Sequence, residues 1–183
     1  MNKMMPIGPL MIEHRLIERM VAMMGKELNR LSKDRRGNPE FIEAVADFIC
    51  TYADRCHHGK EEDILFRELK RKSISDEHRR IMDELIEEHK FGRRVIGEMA
   101  DANSRYSKGE GGALSEIIDS LKTLVELYPN HIDKEDNHFF LPVMQYFSEE
   151  EKDVMLAEEY DFDKTLFHEL YKEQVAQWEK LYT

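Results

Sequence analysis

Cysteine, proline and glycine are all scarce in this chain of 183 residues, which holds 2 Cys, 5 Pro and 9 Gly, with a single Trp. Two cysteines cannot build a disulfide framework. Cys50 and Cys56 would also point in different directions on a helix, so a reducing compartment is expected. The shortage of Gly and Pro speaks against many short strands joined by turns. No apolar run is long enough to cross a membrane. The opening segment reaches Glu13 and His14 before any stretch suited to a signal peptide, so a cytoplasmic protein is expected. A basic excess is missing too. The formal net charge is −11, and runs such as Lys33-Asp34-Arg35-Arg36 are short and interrupted. That argues against binding nucleic acid, which needs clustered Lys and Arg to neutralise phosphates.

What is present favours helices. Charged residues make up 36% of the chain, yet 41% is hydrophobic, including 9 Phe and 11 Met, so a core can be buried. The breakers divide this apolar supply into stripes at helical spacing. Pro9 opens a helix over 9–32 that carries Leu10, Ile17, Val21, Met24, Leu28 and Leu31. Pro39 opens a second that runs to about Lys70 through Phe41, Val45, Phe48, Ile49, Tyr52 and Cys56. Ser73 to Asp76 cap a third, with Ile81, Leu85, His89, Gly92, Ile96 and Met99, which ends near Ser107. After Gly109 to Gly112, a fourth holds Leu114, Ile117, Ile118, Leu121, Leu124 and Val125. Pro129 should kink this helix, and Pro142 should end or bend it. Ser148-Glu149-Glu150-Glu151 fits a capping box for a shorter fifth helix towards Thr183. The expected fold is all-α: an antiparallel up-down four-helix bundle over 9–145, with a C-terminal helical extension over 146–183 packed on the same domain.

The stripes contain residues that do not belong in an apolar core. His57 and Glu61 are four apart, as are His131 and Glu135, so each pair projects from one helix face. His14 and His89 occupy the inward faces of the first and third helices. A buried carboxylate beside an imidazole costs several kcal/mol unless a multivalent cation compensates it. Six donors exceed the needs of one tetrahedral zinc. Imidazole and carboxylate without thiolate suit iron, although zinc and manganese use the same donors. Two metal ions bridged by the two carboxylates would use all six groups. On spacing alone His58 and Glu62 serve as well as His57 and Glu61; the core phase of Ile64 and Leu65 favours the latter pair. His78, His138 and His168 are expected at surfaces, the methionines as core filler, and Cys56 as a small buried hydrophobe.

At these residues the chain resembles the hemerythrin-like, or HHE cation-binding, family. The matching segments are Leu10 to His14, Cys56 to Phe66, Glu87 to Arg93 and Tyr128 to Asp136, in family order over about residues 10–145. The resemblance implies a bundle holding two non-haem iron ions, with a bridging oxo or hydroxo group. His14, His57, His89 and His131 would be nitrogen ligands and Glu61 and Glu135 bridging carboxylates. It also implies binding or sensing of dioxygen or nitric oxide. The alternatives are a di-iron enzyme that reduces peroxide or nitric oxide, and a metal-free helical interaction protein. A homo-oligomer is compatible with the pattern.

Two departures from the oxygen-carrying hemerythrins stand out. Those proteins have a second histidine on the third helix, whereas the positions four away from His89 are Leu85 and Arg93. One histidine is therefore missing, which tells against reversible oxygen carriage and leaves an iron open to water, to Glu88 or to substrate. Their last carboxylate is an Asp that would fall at Asp136, which competes with Glu135; the HHE subgroup favours Glu135.

Overall fold

In the computed structural model, residues 4–34 and 36–181 are described, with side chains up to residue 166. Every regular element among them is helical. Helix α1 spans Ile7–Asp34, and α2 begins at Pro39–Phe48 and closes at Arg67–Leu69. Helix α3 spans Asp76–Ser107. Helix α4 covers Ala113–Asp133 and is prolonged through Lys134–Phe139 and Phe140–Val143 to a 3₁₀ turn at Met144–Tyr146. Helix α5 spans Glu149–Leu181.

The helix starts follow their local chemistry. Asn38 accepts a hydrogen bond from the Phe41 N–H at 3.2 Å, just ahead of Pro39. Ser75 accepts from the His78 N–H at 3.2 Å. At the start of α5 the expected capping box forms in both directions: Glu151 N–H donates to the Ser148 hydroxyl, and Ser148 N–H donates to the Glu151 carboxylate. The turn after α3 needs Gly109, whose φ of 95° lies in the left-handed region. Pro129 is carried inside α4, which continues to Asp133. The backbone leaves helical geometry at Phe139 (φ −124°, ψ −58°), ten residues after Pro129 and shortly before Pro142.

The main departure from the expected helices lies in the middle of α2 and at the end of α4. Ile49–His58, Glu61–Phe66 and Lys134–Phe139 wind as π-helix. Hydrogen bonds that reach one residue further widen the helix and turn each residue by less than the roughly 100° of an α-helix, which shifts the side chains out of α-helical phase. The three stretches contain His57, His58, Glu61 and Glu135.

Buried apolar side chains form two clusters. One contains Ile17, Val21, Ile49, Val95, Ile96 and Leu124; the other contains Leu10, Ile64, Leu65, Leu85, Phe139 and Phe140. Helices α1 and α3 run from the second cluster to the first, and α2 and α4 run from the first to the second. Each crosses between the clusters at an inward histidine. The described side chains of α5 meet α2 through bidentate Arg67–Glu158 contacts of 2.7 and 2.8 Å, and the turn after α2 through Lys72–Glu151 at 2.5 Å. Gly59 allows the approach, because a Cβ there would lie 2.8 Å from the Phe162 ring.

Candidate metal centre

Between the two apolar clusters lies a buried polar layer. His14, Glu61 and Glu135 have no exposed surface at all, and His57, His58, His89 and His131 are almost fully covered. All six residues expected from spacing and core phase are brought together, and His58 joins them. The donor atoms fall into two groups that a metal ion fits. One is His14, His57, Glu61 and Glu135; the other is His58, Glu61, His89 and His131.

The two carboxylates sit between these groups. Glu135 places Oε2 at 3.1 Å from His14 Nε2 and Oε1 at 3.3 Å from His131 Nε2. Glu61 places Oε1 at 3.4 Å from His57 Nε2 and Oε2 at 3.4 Å from His89 Nε2. The buried Nε2 atoms of His14 and His57 and all four oxygens of Glu61 and Glu135 find no hydrogen-bond partner. Native cores rarely leave so many buried polar atoms unpaired, and each costs on the order of 1–3 kcal/mol. Cations between the two groups would satisfy them, so the residues present fit a pair of metal ions.

The outward ring nitrogens are all engaged. His14 Nδ1 meets Asp136 at 2.8 Å, His57 Nδ1 meets Glu13 at 2.9 Å, and His58 Nδ1 meets Asp54 at 3.3 Å. His89 Nδ1 meets Glu62 at 2.7 Å, and His131 Nδ1 meets Glu88 at 2.8 Å. A carboxylate at Nδ1 holds the proton there, fixes the ring and leaves the Nε2 lone pair facing inward, the arrangement that makes imidazole a good metal ligand. Each carboxylate is in turn held by a cation. Arg15 meets Asp136, Lys60 meets Glu13, Arg93 holds Asp54 and Glu62 at 2.6 and 2.7 Å, and Lys134 holds Glu88 at 2.5 Å.

This arrangement revises three expectations. His57 and His58 are not alternatives: both turn inward, each to a different donor group. Their adjacency in sequence hides this, because neighbours on an α-helix are about 100° apart, whereas Ile49–His58 winds as π-helix. The histidine missing from α3 is thus matched by a fifth imidazole from α2, and His58 stacks on His89 with ring centroids 3.9 Å apart. Asp136, Glu62 and Glu88 lie at the Nδ1 side of their histidines, not among the inward donors. The outer carboxylates Glu13 and Asp54 gave no sequence signal beyond their abundance. Among the remaining histidines, His138 is exposed, and half-buried His78 bonds the Tyr146 hydroxyl at 2.8 Å. His168 lies outside the described side chains. Cys56 is buried as expected, but in polar company, with its thiol 3.4 Å from Asp163.

The proton balance follows the geometry. Burial and the nearby Glu135 push the Glu61 carboxyl far above the ordinary carboxylate range. Burial and the neighbouring His14 and His58 push His57 down, and burial with His89 takes His58 down to about 3. Burial opposes a charge on His14, but Asp136 and Glu135 outweigh it and push that ring up to about 9. A metal ion would displace protons from Glu61 and His14. A small cavity lined by His58, His89, His131, Gly92, Leu127 and Tyr128 reaches the second donor group. Its volume of about 10 Å³ suits a ligand no larger than water.

Fold and site together define a helical bundle whose core holds clusters of carboxylates and imidazoles that could hold a cation. The sequence matches the model of the hemerythrin HHE cation-binding domain over residues 5–143, and the chain belongs to that family. No curated protein is significantly similar in sequence. Among the described residues, no helix is long and apolar enough to cross a membrane.

Proposed function

We propose that this chain is a non-haem di-iron protein that binds or senses dioxygen or nitric oxide. His14, His57, Glu61 and Glu135 would hold one iron and His58, His89 and His131 the other, with both carboxylates shared. The observation that carries this reading is the convergence of unpaired Nε2 and carboxylate oxygen atoms in the buried centre of the bundle. Iron is favoured over softer metals because the donors are imidazole and carboxylate without thiolate. A redox-active ion in such a cage supplies an electron-rich position for a diatomic ligand. The residues supply a low-dielectric surrounding and fixed imidazoles.

The order in which the helices cross the two apolar clusters supports the antiparallel up-down bundle over 9–145. The ion pairs of Glu151 and Glu158 support packing of the extension over 146–183 on it. Unpaired Cys50 and Cys56 are in keeping with a reducing, cytoplasmic setting. The reading is tested by exposing anaerobically iron-loaded protein to dioxygen and to nitric oxide. A lasting spectral change with one of them is expected. Continuous consumption of nitric oxide or added peroxide would instead identify a reductase, and no response to any of them would reject both.

A further inference from the structure

The cations that hold the five histidine-bound carboxylates are not alike. The side chains of Arg15, Arg93 and Lys134 are 55%, 38% and 25% exposed, whereas that of Lys60 is 0% exposed. An ammonium removed from water acts on its neighbours with little screening, while exposed cations are weakened by solvent and salt. Lys60 touches Glu13, whose other oxygen holds His57 Nδ1 at 2.9 Å, and it reaches Asp163 of α5 at 2.8 Å. Cys56, one turn before Lys60, also donates to Asp163. Burial works against the Lys60 charge, but Asp163 and Glu13 outweigh it, so the ammonium is retained. Asp163 lies beyond the family match, which ends at residue 143. A contact chain therefore runs from α5 to one particular imidazole, His57, and from there to one of the two donor groups.

We propose that Lys60 and Asp163 are positioning residues for the metal held by His14 and His57, so that α5 sets the affinity of that one position through Glu13. The inference rests on the di-metal reading. With Asp163 in place, Lys60 is held against Glu13, Glu13 keeps the His57 proton on Nδ1, and the Nε2 lone pair faces inward. Without Asp163, Lys60 loses its second partner and Glu13 is free to turn. His58, His89 and His131 have their own outer carboxylates, Asp54, Glu62 and Glu88, which are held by Arg93 and Lys134 and not by Lys60.

The test is a titration of metal-free, full-length protein with Co²⁺ alone, followed by visible d–d absorption, which reports ligand geometry and not activity. The wild type is expected to take up about two ions. In Asp163→Asn one of the two should bind about 10-fold more weakly and with an altered band, as outer partners of ligating histidines typically cost 10–100-fold. Lys60→Met should act on the same position. Glu158→Gln, which removes a different α2 to α5 ion pair, should leave both ions as in the wild type. Should Lys60→Met fail to fold by circular dichroism, Asp163→Asn decides alone. Two wild-type ions with an unchanged Asp163→Asn profile, or equal weakening by Glu158→Gln, would overturn the inference and leave the metal reading intact. A wild type that takes up no Co²⁺ would overturn both.

Discussion

His57 and His58 are consecutive in the chain yet serve different donor groups: His57 faces His14, and His58 lies flat against His89 with the ring planes 12° from parallel. The two substitutions should therefore have separable effects. His57→Ala and His58→Ala are each expected to retain about one metal ion per chain, from opposite positions, and the double variant close to none. Metal analysis of the purified variants measures this, and retention of both ions in either single variant would remove that histidine from the set.

Glu61 and Glu135 place two carboxylates in a layer with no solvent exposure. Without a cation this arrangement is costly, because burial and mutual repulsion act together. In chelator-treated protein, Glu61→Gln should thus be more stable than the wild type by about 1–3 kcal/mol. With metal added the order should reverse, since only the wild type gains the binding free energy. Urea unfolding with and without metal checks both signs.

Glu159 on α5 is 1% exposed, and neither carboxylate oxygen has a partner. Burial raises its pKa from 4.5 to about 8, with Lys60 opposing and Glu13 and Asp163 adding to the rise. The folded state therefore holds a proton that the unfolded chain releases near 4.5, so the contribution to stability is full below that pH and is lost as pH rises through about 8. Raising the pH across this window should cost the wild type a few kcal/mol more than Glu159→Gln. Parallel stability-against-pH curves for the two proteins would contradict the assignment.

Leu121 is fully buried in the apolar cluster that contains Leu124 and Ile96 and none of the inward histidines or glutamates. Leu121→Ala should lower stability by about 2–5 kcal/mol through the cavity it leaves. Metal content at a temperature where the variant is folded should be unchanged. Denaturant midpoints and metal analysis together separate packing from ligation.

The helices were legible because their signals are local. Pro39, the caps at Ser75 and Ser148, and the Gly109 turn mark boundaries that the structure places within a few residues of those read from spacing. Inward histidines on all four helices were also legible, since polar residues at core phase have few explanations. What could not be read was the π-helical winding of α2, because it depends on how the helix accommodates its neighbours and leaves no periodic trace in sequence. Hence spacing makes His57 and His58 look like alternatives, although both face inward. The outer carboxylates were equally hidden. Glu13, Asp54, Glu62, Glu88 and Asp136 resemble any acidic residue of a solvated helix until the fold brings each to an imidazole.

The most direct test of the central claim is the iron content of protein produced with ample iron and purified without oxygen, measured beside the His57→Ala/His131→Ala double variant. About two irons per wild-type chain and almost none in the variant are expected, because the variant removes an imidazole from each donor group. Trace iron in the wild type, or full occupancy in the variant, would contradict a di-iron centre built from these residues.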